Sequence, residues 1–92
     1  MSYENEIEEL RKEINRLNTE ILEKLAQRVE VAKEIGAVKK RRGLPIVDRG
    51  REKRVIEQVR GLALSLGLDA DGTERVFREI IRLCTDAEKE DP

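Results

Sequence analysis

The stretch from Glu4 to Lys40, ENEIEELRKEINRLNTEILEKLAQRVEVAKEIGAVKK, decides the fold. It holds no proline, and its first glycine is Gly36. Apolar residues stand at Ile7, Leu10, Ile14, Leu17, Ile21, Leu25, Val31, Ile35 and Val38. Their spacings are mostly three, four and seven, which places them on one helical face. At about 1.5 Å per residue such a helix is roughly 50 Å long. The seven-residue frame through Ile7, Ile14 and Ile21 lands next on Arg28 and then on Ile35. A guanidinium therefore falls where the pattern asks for a hydrophobe. Lys39 lies eleven residues beyond Arg28. Eleven steps of about 100° return to nearly the same bearing, roughly three turns on. Two cations facing a core-side groove ask for an anion between the helices.

Working outward from this stretch, the whole chain reads as helix. Helix 1 is expected over about residues 4–41, with acidic residues in its first turn and a stop at Gly43, just before Pro45. Gly43 to Val47 is a short connector, and Asp48 is placed to cap helix 2, expected over about 49–66. Helix 2 carries Val55, Ile56, Val59, Leu62, Ala63 and Leu66 and closes at Gly67. Either Asp69 or Asp71 caps helix 3, expected over about 71–88, and Asp71 to Glu74 has capping-box spacing. Helix 3 carries Val76, Phe77, Ile80, Ile81, Cys84 and Ala87 before the charged tail Lys89-Glu90-Asp91-Pro92. The fold class is all-α, in a single domain over residues 1–92: one long helix and two shorter ones. Helices 2 and 3 can cover one face of helix 1, but they leave much of its seam bare. An exposed stripe of Leu, Ile and Val of this length is a partner surface. The simplest closure is an intertwined homodimeric helical bundle pairing the two long helices. A coiled-coil arm projecting from the domain is the other arrangement open to such a stripe.

Ninety-two residues bound the chain to one small domain whose helical core is marginal alone. Nineteen basic and 20 acidic residues give a net charge of −1. Tyr3 and Phe77 are the only aromatics. Both facts weigh against nucleic acid, leaving only a local patch at Lys39, Lys40, Arg41 and Arg42. Cys84 is the one cysteine, so no intrachain disulfide forms, and a reducing cytoplasm fits. There is no histidine, which removes the commonest general base and metal ligand. The acidic start MSYENEIEEL is neither a signal peptide nor a membrane span. Charged residues make up 42% of the chain, against about 25% in an average domain. A thermophilic source produces such a composition, and so does the solvated surface of an ordinary helical bundle.

Several charged residues sit at expected core or cap positions: Arg28 and Lys39, then Asp48, Arg51 and Glu52, and finally Glu88. Glu88 follows Cys84 by four and Ile81 by seven, continuing the apolar face of helix 3. Each has a simpler reading. Arg28 can snorkel out of the seam, Asp48 can be a cap alone, Arg51 and Glu52 can be first-turn surface charges, and Glu88 can lie in a solvated last turn.

The ordered set resembles the all-helical (AroQ-type) chorismate mutases, from about Ile7 to Glu88. The matching pieces are Arg11 in ELRKEINRLN, Arg28 in LAQRVEVAKEIG, Lys39 in GAVKK, the run Pro45-Ile46-Val47-Asp48-Arg49-Gly50-Arg51-Glu52, and Phe77 to Ile81 followed by Cys84 and Glu88. The resemblance implies rearrangement of chorismate to prephenate on the shikimate route to phenylalanine and tyrosine. It also implies roles. Arg11, Arg28 and Arg51 hold the two carboxylates, since a guanidinium binds them through paired donors and keeps its charge. Lys39 donates to the enol-ether oxygen, where negative charge grows. Glu52, with the backbone near Asp48, takes the ring hydroxyl. Cys84 lines the carboxylate end, and Glu88 is the second donor to the ether oxygen. The reaction is pericyclic within one molecule, so neither cofactor nor metal is called for.

Arg11 precedes Arg28 by 17 residues, about 25 Å along one straight helix. Both reach one ligand only if Arg11 arrives from a second subunit whose long helix runs antiparallel. The resemblance implies the same dimer. Two residues depart from the commonest bacterial pattern. Cys84 stands where serine is frequent, and a thiol is the weaker donor. Glu88 stands where many members have glutamine. A carboxylate cannot donate to an ether oxygen but a carboxylic acid can, so Glu88 is expected to work protonated, with activity falling as pH rises. Competing readings are an isochorismate pyruvate lyase of the same fold, a non-enzymatic helical dimerisation module, and a nucleic-acid binder using residues 39–42.

Overall fold

The computed structural model describes residues 2–90, with three α-helices: α1 (Tyr3–Arg41), α2 (Arg49–Ser65) and α3 (Ala70–Lys89). Of the expected charged tail, Asp91 and Pro92 lie outside the described residues. Ser2 caps α1 by accepting from the Asn5 N–H at 3.3 Å. Glu4 and Glu6 in the first turn and Lys39, Lys40 and Arg41 in the last complement the helix dipole. Gly43 takes a φ of +67°, and the Gly43 and Leu44 N–H groups turn back to the Lys40 and Lys39 carbonyls at 3.2 and 2.9 Å. That is a Schellman stop, and Gly67 ends α2 in the same way.

Asp48 caps α2, its carboxylate accepting from the Arg51 N–H at 3.0 Å. Between the two candidates for the α3 cap the structure selects Asp69, whose carboxylate accepts from the Gly72 N–H at 2.7 Å. The Asp71–Glu74 capping box does not form. Glu74 is drawn instead to two guanidinia, Arg60 of α2 at 2.8 Å and Arg78 of α3 at 2.7 Å.

The packing order differs from the expectation that helices 2 and 3 both cover helix 1. Here α3 is the central element, touching α1 on one side and α2 on the other, and among the described residues α1 and α2 do not pack together. The reason lies in the apolar pattern of α3. Phe77 and Ile81 pack on the core cluster Val55, Ile56 and Val59 of α2, while Cys84, which meets Arg28 of α1, and Ala87 are buried, and the Glu88 backbone closes on Gly36 of α1. The N-terminal half of α1 is left free, and the molecule extends over 61 Å. Ile14 and Ile21 are 56% and 62% exposed there. No helix is long and apolar enough to cross a membrane among the described residues.

Candidate active site

The C-terminal half of α1, the connector at Ile46, the start of α2 and the last turns of α3 converge on a cleft of about 390 Å³. Seven of the eight residues singled out in the sequence line it: Arg28 and Lys39 from α1, Asp48, Arg51 and Glu52 from the cap and first turn of α2, Cys84 and Glu88 from α3. Arg11 does not. It is exposed on the free half of α1. Val31, Ile35, Val55 and Ile81 supply an apolar lining.

Lys39 is the most firmly held cation. Its Nζ donates to the Ile46 carbonyl at 2.7 Å and to Glu88 Oε1 at 2.8 Å. The two side chains are 21% and 14% exposed, so this pair is screened by solvent far less than the surface pairs along α1. Arg28 does not snorkel outward. It is half-buried, and Nη1 donates to Cys84 Sγ at 2.9 Å. The buried Cys84 sulfur is thus an acceptor that steadies the guanidinium. Among the described residues Arg28 makes no other hydrogen bond or ion pair, and the Arg51 side chain makes none. Two guanidinia thus face one cleft without a carboxylate partner.

The acidic residues divide by task. The Asp48 carboxylate serves as the α2 cap and so sets the backbone of Arg51 at the cleft edge. Glu52 is half-buried and accepts from Arg49 Nη1 at 3.3 Å. Glu88 is committed to Lys39. Three cations and three carboxylates line the cleft, a formal sum of zero. Among the described residues no cluster of His, Cys, Asp and Glu could hold a metal ion.

Three participants escaped the sequence reading. The Ile46 carbonyl holds Lys39, and a backbone acceptor leaves no mark in a side-chain pattern. Arg49 orients Glu52 from three residues earlier. Thr85 lines the cleft one turn beyond Ile81, and that spacing of four was the available signal.

The family model described as chorismate mutase type II matches residues 10–89. The chain is 37% identical over 87 residues to a bifunctional chorismate mutase/prephenate dehydratase of Aquifex aeolicus, covering 91% of this chain and 24% of that protein. It is 32% identical over 73 residues to a chorismate mutase of Methanocaldococcus jannaschii, covering 79% of this chain and 74% of that protein. Among solved structures, a conserved hypothetical protein from Pyrococcus furiosus superposes with a TM-score of 0.73 at 30% identity, covering 97% of this chain and 100% of that one. The chain thus spans about a quarter of the length of the bifunctional relative.

Proposed function

The chain belongs to the chorismate mutase type II family, and on that premise we propose that it rearranges chorismate to prephenate, as a cytoplasmic enzyme of phenylalanine and tyrosine biosynthesis. One observation carries the reading: Arg28 and Arg51 face the same cleft as the Lys39–Glu88 pair, and neither guanidinium side chain is neutralised by a carboxylate. Arg28 and Arg51 take the carboxylates of the substrate. Lys39, fixed by Ile46 and Glu88, directs a donor at the ether oxygen as its bond to carbon breaks. Glu52 receives the ring hydroxyl. The apolar lining confines the side chain over the ring, so that the two carbons that bond are held close together. No nucleophile takes part, and the chain supplies position and charge.

Charge balance supports two further parts of the reading. The cleft residues of one chain sum to zero, whereas chorismate carries two negative charges. Arg11 from a second copy adds one positive charge, and protonation of Glu88 removes one negative charge. Together they bring the cleft to +2, matching the dianion. The free apolar half of α1 is the surface that seats the second copy, and an antiparallel pairing carries its Arg11 toward the first copy's Arg28.

The test is chorismate turnover by the purified protein, with prephenate and pyruvate separated as products. Prephenate formation is expected, and Arg28→Ala is expected to lower kcat/KM at least 100-fold, in line with about 3 kcal/mol for a charged hydrogen-bonded contact. Pyruvate release in place of prephenate would make the chain a lyase. No turnover at pH 7 or in acid would refute the assignment.

A further inference from the structure

Helices α1 and α3 come very close at Gly36. A β-carbon at this position would fall on the Glu88 carbonyl oxygen, 2.7 Å from Glu88 Cα and 2.9 Å from its carbonyl carbon. All three are backbone atoms, so no side-chain rotation relieves the overlap. Carbon atoms rest in contact at about 3.5 Å or more, and any residue but glycine must push the two helices apart by about 1 Å. The buried residues one turn or less away along each helix are small as well: Ala32 on α1, and Cys84 and Ala87 on α3. Glycine is a poor helix former in the interior of a helix of 39 residues, so propensity does not account for it. The residue pressed against Gly36 is the one whose carboxylate meets Lys39, three residues further along α1.

We propose that Gly36 is a positioning residue: the β-carbon it lacks sets the separation of α1 and α3 that brings the Glu88 carboxyl onto Lys39. Its kinetic consequence rests on the reading of Lys39 and Glu88 as the pair at the ether oxygen; the separation itself does not. Crystal structures of the parent protein, Gly36→Ala and Gly61→Ala test the separation directly. A β-carbon at Gly61 meets nothing within 4 Å, so that variant makes the same chemical change in open space. In Gly36→Ala the Lys39–Glu88 distance should lengthen by about 1 Å from 2.8 Å, past the hydrogen-bond range of about 3.2 Å, while Gly61→Ala leaves it unchanged. With chorismate, Gly36→Ala should lower kcat about 100-fold, the effect of a displacement of about 1 Å at a reacting centre, with KM little changed. In a Glu88→Ala background the same substitution should lower kcat less than about twofold, because the group it positions is gone. A loss of folded protein would repeat its penalty in both backgrounds. An intact Lys39–Glu88 pair in Gly36→Ala, or the full penalty repeated without Glu88, overturns the proposal. Should Gly36→Ala not fold, the parent protein still decides: the geometry requires a nuclear Overhauser contact between the α-protons of Gly36 and Glu88, and its absence overturns the proposal. A parent that folds with this contact but leaves chorismate unchanged defeats the reaction assigned above, and not the role of Gly36.

Discussion

Glu88 carries the most information at the scale of single residues. A carboxylate and an ammonium 2.8 Å apart form a stable pair, yet an ionised carboxylate has no proton to offer an ether oxygen. A Glu88 that donates to the ether oxygen must carry its proton, so turnover should fall as pH rises. Glu88→Gln, which donates at any pH, should flatten the pH–kcat profile and keep activity at pH 8. A variant with the parent's pH dependence would show that the ionising group lies elsewhere. Arg28 and Cys84 form the second informative pair. Sulfur is a weak acceptor, and a serine hydroxyl accepts the same guanidinium proton at least as well. Cys84→Ser should therefore keep turnover within about threefold. Arg28→Lys should not, because an ammonium lacks the planar fork that grips a carboxylate while a second N–H rests on Cys84.

At the scale of helices, the contacts that hold α2 against α3 differ in kind from those of the cleft. Arg60 reaches across from α2 to Asp71 at 2.9 Å and Glu74 at 2.8 Å, while Arg78 holds Glu74 from within α3 at 2.7 Å. Arg78 chiefly, and Arg60 with it, hold the Glu74 carboxyl below its ordinary range, against a smaller opposing effect of burial. A carboxyl lowered on folding stabilises the fold above its unfolded value and loses that stabilisation as pH falls through the folded value. Glu74→Gln should therefore melt below the parent at pH 7. The gap should close as pH is lowered through and past the ordinary glutamate value of about 4.3. A gap unchanged down to pH 2, followed by circular dichroism, would show that Glu74 contributes by packing alone. The cluster also explains why Asp69 caps α3. Glu74 cannot fold back on the helix start while two guanidinia hold it, and Asp69 meets the Gly72 N–H from outside the first turn.

The whole molecule is governed by the free half of α1. Leu10, Ile14, Leu17, Ile21 and Leu22 are all exposed on a single chain, and no packed core of three helices this unequal can reach them. Sedimentation should show a dimer, and Ile14→Lys should shift it toward monomer with loss of turnover. A mixing experiment separates an Arg11 acting across the dimer from one acting within its own chain. Arg11→Ala and Arg28→Ala are each expected to be inactive. Unfolded and refolded together in equal amounts, they form hybrids in half the molecules, and each hybrid holds one intact site of two. About a quarter of the parent activity should return if Arg11 crosses to the partner. If it serves its own chain, no mixed molecule contains an intact site and nothing returns.

The periodicity of residues 4–40, the glycine stops at Gly43 and Gly67 and the Asp48 cap were legible because each depends on a few neighbours along the chain. The same is true of the interruption at Arg28 and Lys39, which a helical repeat exposes at once. The linear sequence therefore determined the three helices and which of their faces carry misplaced charge. Tertiary structure decided what no local pattern contains: that α3 rather than α1 is the central helix, that Asp69 rather than Asp71 is the cap, that the Ile46 carbonyl holds Lys39, and that the Cys84 sulfur accepts from Arg28. Gly36 shows the division most plainly. In the sequence it is a weak position in a long helix, and only the approach of the α3 backbone, 52 residues away at Glu88, makes it a requirement. Helix formation is set by interactions a few residues apart, whereas the distance between two helices is set by atoms that meet only once the chain has folded.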